Sequence, residues 1–429
     1  MARKMKDSGI EWIGEIPEEW NISKVGYFFD IQLGKMLQPI RQNASDSLEK
    51  YLCAANVGGN RLRLFSLKEM WFSPAEKKAL KVEKGDMLVV EGGDVASCDI
   101  ITEDIEPIYF QNSIHRVRPL GNYDIRILKY WLWLAKGIGH IDLICNKATI
   151  AHFSREKFIA LSFIVIPLPD QHRIATFLDR KCAEIDSVIA NTQKTIDEYK
   201  ALKQSIITEA VTKGVRGKRK MKDSGIEWIG DVPEEWEVTR IKNLFAYRNE
   251  RNSLPLEDVN LISLYTDKGV VQHSDLEETT GNKASNADGY KLVYENDIVV
   301  NIILCWMGAI GRSAYNGVTS PAYDVYAPKA GTFSHFYHYY FRTQGFSGDC
   351  YKVGRGIMAM RWRTYSDQFR ALSVIYPSIQ EQIEIVTYLD RKCAEIDRLI
   401  AAKQQLLTEL ESYKKSVIYE YVTGKKEVI

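Results

Sequence analysis

The chain of 429 residues contains two copies of one unit, and this repetition limits the folds that it can adopt. Residues 5–20 (MKDSGIEWIGEIPEEW) return at residues 221–236 with fourteen of sixteen positions identical. The nonapeptide LDRKCAEID occurs unchanged at residues 178–186 and 389–397. Each unit therefore opens with one shared block and approaches its end with another, and the two units occupy about half of the chain each.

The middle of each unit behaves differently from its ends. Between about residues 50 and 160, and between about 260 and 370, only scattered similarity remains. A protein that contacts the same partner twice while reading two different features would have this pattern. Plain gene duplication with drifted loops is the alternative, but drift does not explain blocks left almost intact beside near-total divergence. The glycine-containing basic segment 214–220 (GVRGKRK) is typical of a linker between the units.

Each unit ends in apolar residues spaced by three, four or seven positions, which predicts a long helix with a coiled-coil stripe. The predicted helices cover residues 169–213 and 378–424. A linker of this length spans about 25 Å at most. We therefore expect the two helices to run antiparallel around a pseudo-two-fold axis, with the two modules at opposite ends of the helical pair.

The modules mix strand-like and helical segments. Residues 86–91 and 298–303 have the pattern of buried strands, whereas residues 126–136 and 335–342 have that of short aromatic helices. The predicted fold class is thus α+β: two α/β modules in tandem, separated by two long antiparallel helices that form a coiled coil.

Composition limits the kind of protein that the chain can be and the compartment in which we expect it. The formal net charge is +1, so any nucleic-acid site has to be a local patch. The longest apolar runs fall far short of the ~20 residues of a membrane span, and the first residues lack the apolar core of a secretory signal. Seven cysteines without a CxxC pair favour free thiols. We expect a cytoplasmic protein with no membrane association.

Motifs for catalysis are missing. The sequence has no GxxxxGK[ST], HExxH or strand-borne GxGxxG pattern, and the string at residues 320–323 (SPAY) lacks the second proline of an amino-methyltransferase motif. His335 and His338 stand among aromatics, which favours a buried or stacking role over a metal pair. The sequence predicts no catalytic, cofactor-binding or metal-ligating residue.

One alternative stays open, a magnesium-dependent nuclease. Asp170, Asp179 and Lys181 match the PD…(D/E)xK arrangement of many nucleases. They lie on a predicted coiled-coil helix, however, and the second copy replaces the Pro-Asp pair by Gln380 and Glu381. A coiled-coil scaffold without a DNA role is a further alternative.

Basic and amide side chains cluster at loop-like sites of both modules. Arginine and lysine suit phosphates and guanine edges, and asparagine and glutamine suit adenine edges. The candidate DNA-binding residues are Lys35, Arg41, Asn60, Arg61, Arg63, Gln111, Asn112, Lys147, His152 and Arg155 in the first module, and Arg248, Arg251, Asn282, Lys283, Arg355, Arg361 and Arg363 in the second.

The whole arrangement resembles the specificity (S) subunit of type I restriction-modification systems. The paired opening blocks, the two long helices entered through PLPDQ and PSIQEQ, and the paired LDRKCAEID segments carry the resemblance. The first copy departs slightly, with Asp170 where the second has Glu381. The resemblance implies target-recognition domains at residues 1–168 and 221–377, each reading one half of a split site in double-stranded DNA.

The resemblance also implies partners. The helices would set the spacing of the half-sites and dock two methyltransferase (M) subunits, and restriction (R) subunits would complete an ATP-dependent nuclease. The chain itself would be a non-catalytic recognition subunit without a cofactor. S-adenosylmethionine, ATP and Mg would belong to the partner subunits.

Overall fold

A computed structural model of the chain describes residues 3–145, 151–275, 286–356 and 362–428, with only the backbone of Asn60 and Asp275. The chain divides into two compact units. Unit 1 comprises Met1–Thr192 and Gln405–Ile429, and unit 2 comprises Gln193–Gln404. Each unit therefore contains one module, part of the first long helix and part of the second.

The module of unit 1 is built on a four-stranded antiparallel sheet in the order β4-β10-β7-β8. A second sheet, in the order β6-β5-β9, joins it, and two short pairs are formed by β1 with β2 and by β3 with β11. The strands are β1 (Met5–Asp7), β2 (Glu15–Pro17), β3 (Asn21–Lys24), β4 (Phe29–Leu33), β5 (Ser47–Leu52), β6 (Lys68–Phe72), β7 (Met87–Val90), β8 (Cys98–Ile100), β9 (Tyr109–Phe110), β10 (Ile114–Pro119) and β11 (Ser162–Val165). The helices are α1 (Pro74–Leu80), α2 (Ile125–Gly137), α3 (His140–Cys145), α4 (Arg155–Ala160) and the long α5 (Leu168–Lys213).

Unit 2 repeats the four-stranded sheet, here in the order β15-β22-β19-β20. Short antiparallel pairs join β12 with β13, β14 with β23, β16 with β17 and β18 with β21. The strands are β12 (Met221–Asp223), β13 (Asp231–Pro233), β14 (Glu237–Arg240), β15 (Phe245–Arg248), β16 (Ile262–Tyr265), β17 (Gly269–Gln272), β18 (Lys291–Val293), β19 (Ile298–Asn301), β20 (Ile310–Arg312), β21 (Gly317–Thr319), β22 (Tyr323–Pro328) and β23 (Ser373–Tyr376). The helices are α6 (Ile241–Leu244), α7 (Ser334–Phe341), α8 (Gln344–Val353), α9 (Ser366–Ala371) and the long α10 (Ile379–Val422).

The predicted α+β class with two long helices is confirmed, as are the aromatic helices α2 and α7 and the buried central strands β7 and β19. Every residue of β7 and β19 is buried, as expected for a central strand covered on both faces. Among the described helices, none combines the length and the apolar character that crossing a membrane requires.

The repeated opening block contains a short hairpin and ends in a tryptophan that lies in the core of its unit. Trp20 and Trp236 are fully buried. Each packs against the glycine that ends a long helix: an added Cβ at Gly424 would lie 2.8 Å from the Trp20 ring, and one at Gly214 would lie 3.2 Å from that of Trp236. Both glycines have a left-handed φ, near +75°, so they combine a helix stop with close packing. In each unit the end of the opening block therefore packs against the end of a long helix.

The nonapeptide repeat also has internal structural roles. Its leucine, cysteine and isoleucine are buried in both copies. Its first aspartate accepts a hydrogen bond from a tyrosine of the neighbouring aromatic helix, over 2.7 Å from Tyr130 to Asp179 and 2.6 Å from Tyr339 to Asp390. Each long helix is thereby tied to its own module.

Contacts within each unit show that the helices pair in opposite directions. In unit 1, the Phe177 ring contacts the Tyr421 ring with centroids 4.3 Å apart. Nine residues further along α5, Asp186 binds Lys414, which precedes Tyr421 in α10. In unit 2, Lys203 binds Asp397 over 2.7 Å. These two ion pairs join the second aspartate of each nonapeptide to the opposing helix, and the antiparallel prediction is confirmed.

Candidate nucleic-acid interface

In unit 1, loops from five places in the sequence meet at one edge of the four-stranded sheet. The Asn112 amide donates to the Lys35 carbonyl over 2.8 Å, which ties the turn between β9 and β10 to the segment after β4. The Glu91 amide donates to the Ser113 carbonyl, and the Ser113 hydroxyl accepts from the Ala54 amide at 3.0 Å. The loops after β4, β5, β7 and β9 thus form one surface.

The segment before α4 completes this edge. The Phe153 amide donates to the Glu91 carbonyl over 2.7 Å, and His152 Nδ1 lies 3.0 Å from the Glu91 carboxylate. Buried strand residues end at Val90, so Glu91 is the first residue to leave the core. We call this surface, formed by the loops at residues 34–41, 54–63, 91–97 and 111–113 and by His152, the loop edge of unit 1.

Unit 2 repeats one backbone bond of this edge between different residues. The Thr364 amide donates to the Ile302 carbonyl over 2.9 Å, and both residues lie 211 positions after Phe153 and Glu91. Asn301 ends β19, and its side-chain oxygen accepts from the Ile303 amide at 3.0 Å, which fixes the turn. One scaffold therefore presents two different sets of side chains.

Several predicted residues of unit 1 lie on this edge, but their side chains differ in how strongly other residues of the fold hold them. Lys35 pairs with Glu76 over 2.5 Å, and its side chain is only 10% exposed. Burial alone would raise the pKa of Glu76, but hydrogen bonds from Lys35 and Ser73 lower it, so the carboxylate holds the lysine. Gln111 and Asn112 are half-buried, and their backbone amides are bound. Lys35 therefore acts mainly in the fold.

Four other cationic residues of unit 1 are exposed. Arg41 lies over the Trp71 ring, 5.4 Å from its centroid, and Arg155 donates to the Ile31 carbonyl at 2.6 Å. Arg61 and Arg63 have no ion-pair partner among the described residues. These two arginines follow the 3-10 segment that starts at Ala54 and ends at Asn60, and are the freest predicted cations of the edge.

In unit 2, two predicted residues are held by the fold. Arg248 binds the buried Asp297 over 2.8 Å and stacks on Tyr294, 4.5 Å from its centroid. Burial raises the pKa of the Asp297 carboxyl, and the hydrogen bonds from Arg248 favour its ionised form. Arg251 donates to the Gly289 carbonyl and to Asn249.

Arg355 and Arg363 form a backbone pair, with amide-to-carbonyl distances of 2.8 and 3.0 Å in the two directions. Both side chains are exposed, so they can reach a ligand. Four predicted residues lie outside the described residues: Lys147, Asn282, Lys283 and Arg361. The side chain of Asn60 is likewise outside the description.

Residue type alone missed part of the edge. Glu91, Ser113 and Asp94 organise it, Asp94 by accepting from the Gly59 amide at 3.1 Å and from the Lys136 ammonium. Gly92 and Gly93 follow shortly after the buried strand β7, and Gly93 has φ near +91°. This pair of glycines was the signal in the sequence for a tight turn at a sheet edge. Exposed apolar residues at positions 36, 37 and 40 were also missed.

The residues of the nuclease alternative have separate structural partners. Asp170 pairs with Arg173, Asp179 with Arg126 at 2.7 Å, and Lys181 with Glu184 at 3.2 Å. The described residues contain no group of three or more His, Cys, Asp or Glu that could hold a metal ion. His338 is half-buried, its Nδ1 accepts from the Arg312 amide at 3.2 Å, and desolvation lowers its pKa to about 3.

Comparison with known proteins gives consistent results. The family model described as type I restriction modification DNA specificity domain matches residues 233–412. The chain is 24% identical over 236 residues to the type I restriction enzyme MjaVIII specificity subunit of Methanocaldococcus jannaschii, covering 53% of this chain. The match spans about half of that relative, 50% of its length.

Two solved structures share the fold. The first is a chain from a study of complex assembly and conformational transition of the type I R-M system, with TM-score 0.69, 12% identity, and coverage of 95% of this chain and 98% of that one. The second is the HsdS subunit from Thermoanaerobacter tengcongensis, with TM-score 0.51, 12% identity, and coverage of 96% and 98%. At such identities the likeness concerns the fold.

Proposed function

We propose that the chain is a specificity subunit of a type I restriction-modification system and that it reads a bipartite DNA site, one half-site with each module. Such subunits are non-catalytic DNA-recognition proteins. The observation that carries the proposal is the loop edge of unit 1, because one of its backbone bonds recurs at the equivalent position of unit 2 between different residues. A shared scaffold with unlike loops suits two half-sites of unlike sequence.

The charges of the edges support contact with DNA. Arg61 and Arg63 in unit 1, and Arg355 and Arg363 in unit 2, are exposed cations on short, backbone-bonded segments. Such residues neutralise phosphates or donate to guanine edges. On this account Lys35 and Arg248 contribute to the fold, and the remaining predicted residues stay candidate contacts.

The nonapeptide supplies a candidate docking surface for the methyltransferase subunits. Its Lys181–Glu184 pair in the first copy recurs as Lys392–Glu395 in the second, with separations of 3.2 and 3.0 Å. Solvent-exposed pairs of this kind contribute little stability, about 0.3–0.5 kcal/mol, so stability does not explain why both copies have the same pair. A partner protein that binds both copies would explain it. In the proposed complex, S-adenosylmethionine, ATP and Mg belong to the methyltransferase and restriction subunits.

The docking proposal has a direct test. Glu184→Lys combined with Glu395→Lys should weaken co-purification of the methyltransferase subunits, while Glu198→Lys, an exposed change elsewhere on α5, should leave it intact. Equal co-purification of all three proteins would contradict docking at the nonapeptide.

DNA reading is tested by sequencing methylated bases in cells that express the chain with its methyltransferase subunits. We expect methylation at a split, asymmetric motif with an unread gap. Arg61→Ala with Arg63→Ala should reduce it, because two exposed cations are lost without a change in the core. A continuous motif, or methylation that does not depend on this chain, would contradict the proposal.

A further inference from the structure

Three large apolar side chains project into solvent from one short loop of unit 1. Met36 is 75% exposed, Leu37 54% and Ile40 74%. Single exposed apolar residues are common on soluble proteins, but three within five positions form a patch that usually marks a binding surface.

The loop that carries them is held in place at its start and at its middle. Gly34 packs so closely on the Gln111 backbone that an added Cβ would overlap its carbonyl group. The Lys35 amide donates to the Phe110 carbonyl over 3.1 Å, and the Trp71 amide donates to the Gln38 carbonyl over 3.1 Å. The apolar side chains are therefore presented on a fixed backbone.

A buried polar contact stiffens the middle of the loop. The buried Gln38 side chain donates to Asp46 and to the Ile40 carbonyl, both at 3.3 Å. Asp46 in turn accepts from the Asn43 amide at 3.0 Å and from that of Gln42. Although burial alone would raise it, these backbone bonds lower the pKa of Asp46, so the anchor stays ionised.

We propose that this apolar loop enters the major groove of DNA and reads thymine methyl groups in the half-site of unit 1. The inference rests on the proposed function, which assigns the loop edge to DNA. Two observations favour DNA as the occupant. The loop starts at the backbone contact that ties Lys35 to Asn112, inside the loop edge, and it is followed by the exposed guanidinium of Arg41.

The spacing of the side chains favours groove contact over a wedge between two bases. Residues 36 and 40 are four positions apart, so an extended backbone separates them by up to about 14 Å. Adjacent base pairs are about 3.4 Å apart. Three apolar side chains on a loop whose backbone can span up to this distance suit the edges of several base pairs, and the thymine methyl is the apolar group that the major groove displays.

Replacing thymidine by deoxyuridine, which lacks only the methyl group of the base, tests directly whether the methyl group is read. The full chain in complex with its methyltransferase subunits is titrated with duplexes whose first half-site carries either base. We expect each contacted methyl to contribute about fourfold in Kd, the ratio that corresponds to about 0.8 kcal/mol per buried carbon. Met36→Ser combined with Ile40→Ser should bind both duplexes equally.

Leu120→Ser serves as the matched control. Leu120 is also exposed, but it follows β10 at the end remote from Ile114, where that strand leaves the loop edge. This variant should keep the wild-type preference for thymine. Thymine and deoxyuridine bound equally by the wild type, or a first half-site without A·T pairs, would overturn the inference while leaving selective DNA binding intact.

Two other outcomes separate the explanations. A loss of methyltransferase subunits in the double variant, with thymine preference retained in the complex that remains, would assign the patch to a protein partner and overturn the inference. A wild-type complex that binds no DNA selectively would overturn the proposed function itself.

Discussion

Two tryptophans at equivalent positions of the two units differ by one hydrogen bond. Trp236 Nε1 donates to Glu381 over 2.9 Å. Trp20 Nε1 is buried and has no partner among the described residues. The counterpart of Glu381 is Asp170, which is shorter by one methylene group. A single residue thus decides whether the buried indole N–H is bonded.

Asp170→Glu should therefore stabilise unit 1. The longer side chain can reach the Trp20 N–H while keeping its negative charge near Arg3, and a net hydrogen bond contributes about 1 kcal/mol. The reciprocal change, Glu381→Asp, should destabilise unit 2 by about 1–3 kcal/mol, the cost of leaving a buried donor unsatisfied. Denaturant unfolding of both variants measures these changes, and opposite signs are expected. A loss of stability in Asp170→Glu would contradict this account.

Arg248 and Arg61 look alike in the sequence but have different roles in the structure. Arg248→Met should destabilise unit 2 by about 3 kcal/mol, because it leaves the buried Asp297 charge without a partner. Arg61→Met should leave stability unchanged and weaken DNA binding. Unfolding and DNA titration of the same two proteins measure both quantities.

The effect of Arg248→Met should also depend on pH. Burial raises the pKa of folded Asp297, and loss of the arginine raises it further. A group whose pKa is higher in the folded state contributes stability that is lost as pH rises through that pKa. The deficit relative to the wild type should consequently be larger at pH 7.5 than at pH 5. A deficit that does not change with pH would show that Asp297 remains ionised in both proteins.

At the scale of elements, the long helices could be predicted because their apolar spacing is local and continuous. The sheet order β4-β10-β7-β8 could not, because each neighbour comes from a distant part of the chain. For the same reason residue type did not separate Arg248 from free cations: its partner Asp297 is 49 positions away. The opening blocks and the nonapeptide were recognised as shared, while their contacts with Gly214, Gly424 and the aromatic helices required the structure.

Two glycines of α8 test how closely the opening block packs. A Cβ at Gly345 would overlap the Trp228 ring, whereas one at Gly348 meets nothing within 4 Å. Gly345→Ala should destabilise unit 2 by about 1–3 kcal/mol through overpacking. Gly348→Ala should stabilise it by up to about 1 kcal/mol, because alanine is the better helix former. Thermal unfolding compares the two variants, and equal melting temperatures would contradict the close contact with Trp228.

At the scale of the whole molecule, the two units share one framework and differ in what it presents. The common sheet, the anchoring tryptophan and the paired helices recur, while the sheet β6-β5-β9 in unit 1 has no counterpart of the same order in the described part of unit 2. The sequence predicted this division from its repeats. It did not reveal which loops form each edge, because the edge of unit 1 is assembled from segments between residue 34 and His152 that are distant in the sequence.

If each module reads its own half-site, exchanging one module should change only the half-site that this module reads. Replacing residues 221–377 by the corresponding module of a type I specificity subunit should keep the framework contacts, since these lie in the shared blocks and the long helices. Base-resolution mapping of methylated sites in cells that express this exchanged chain with the same methyltransferase subunits tests the idea directly. Our account predicts that one half of the split motif changes while the other half and the gap stay the same. A change in both halves, or in neither, would contradict it.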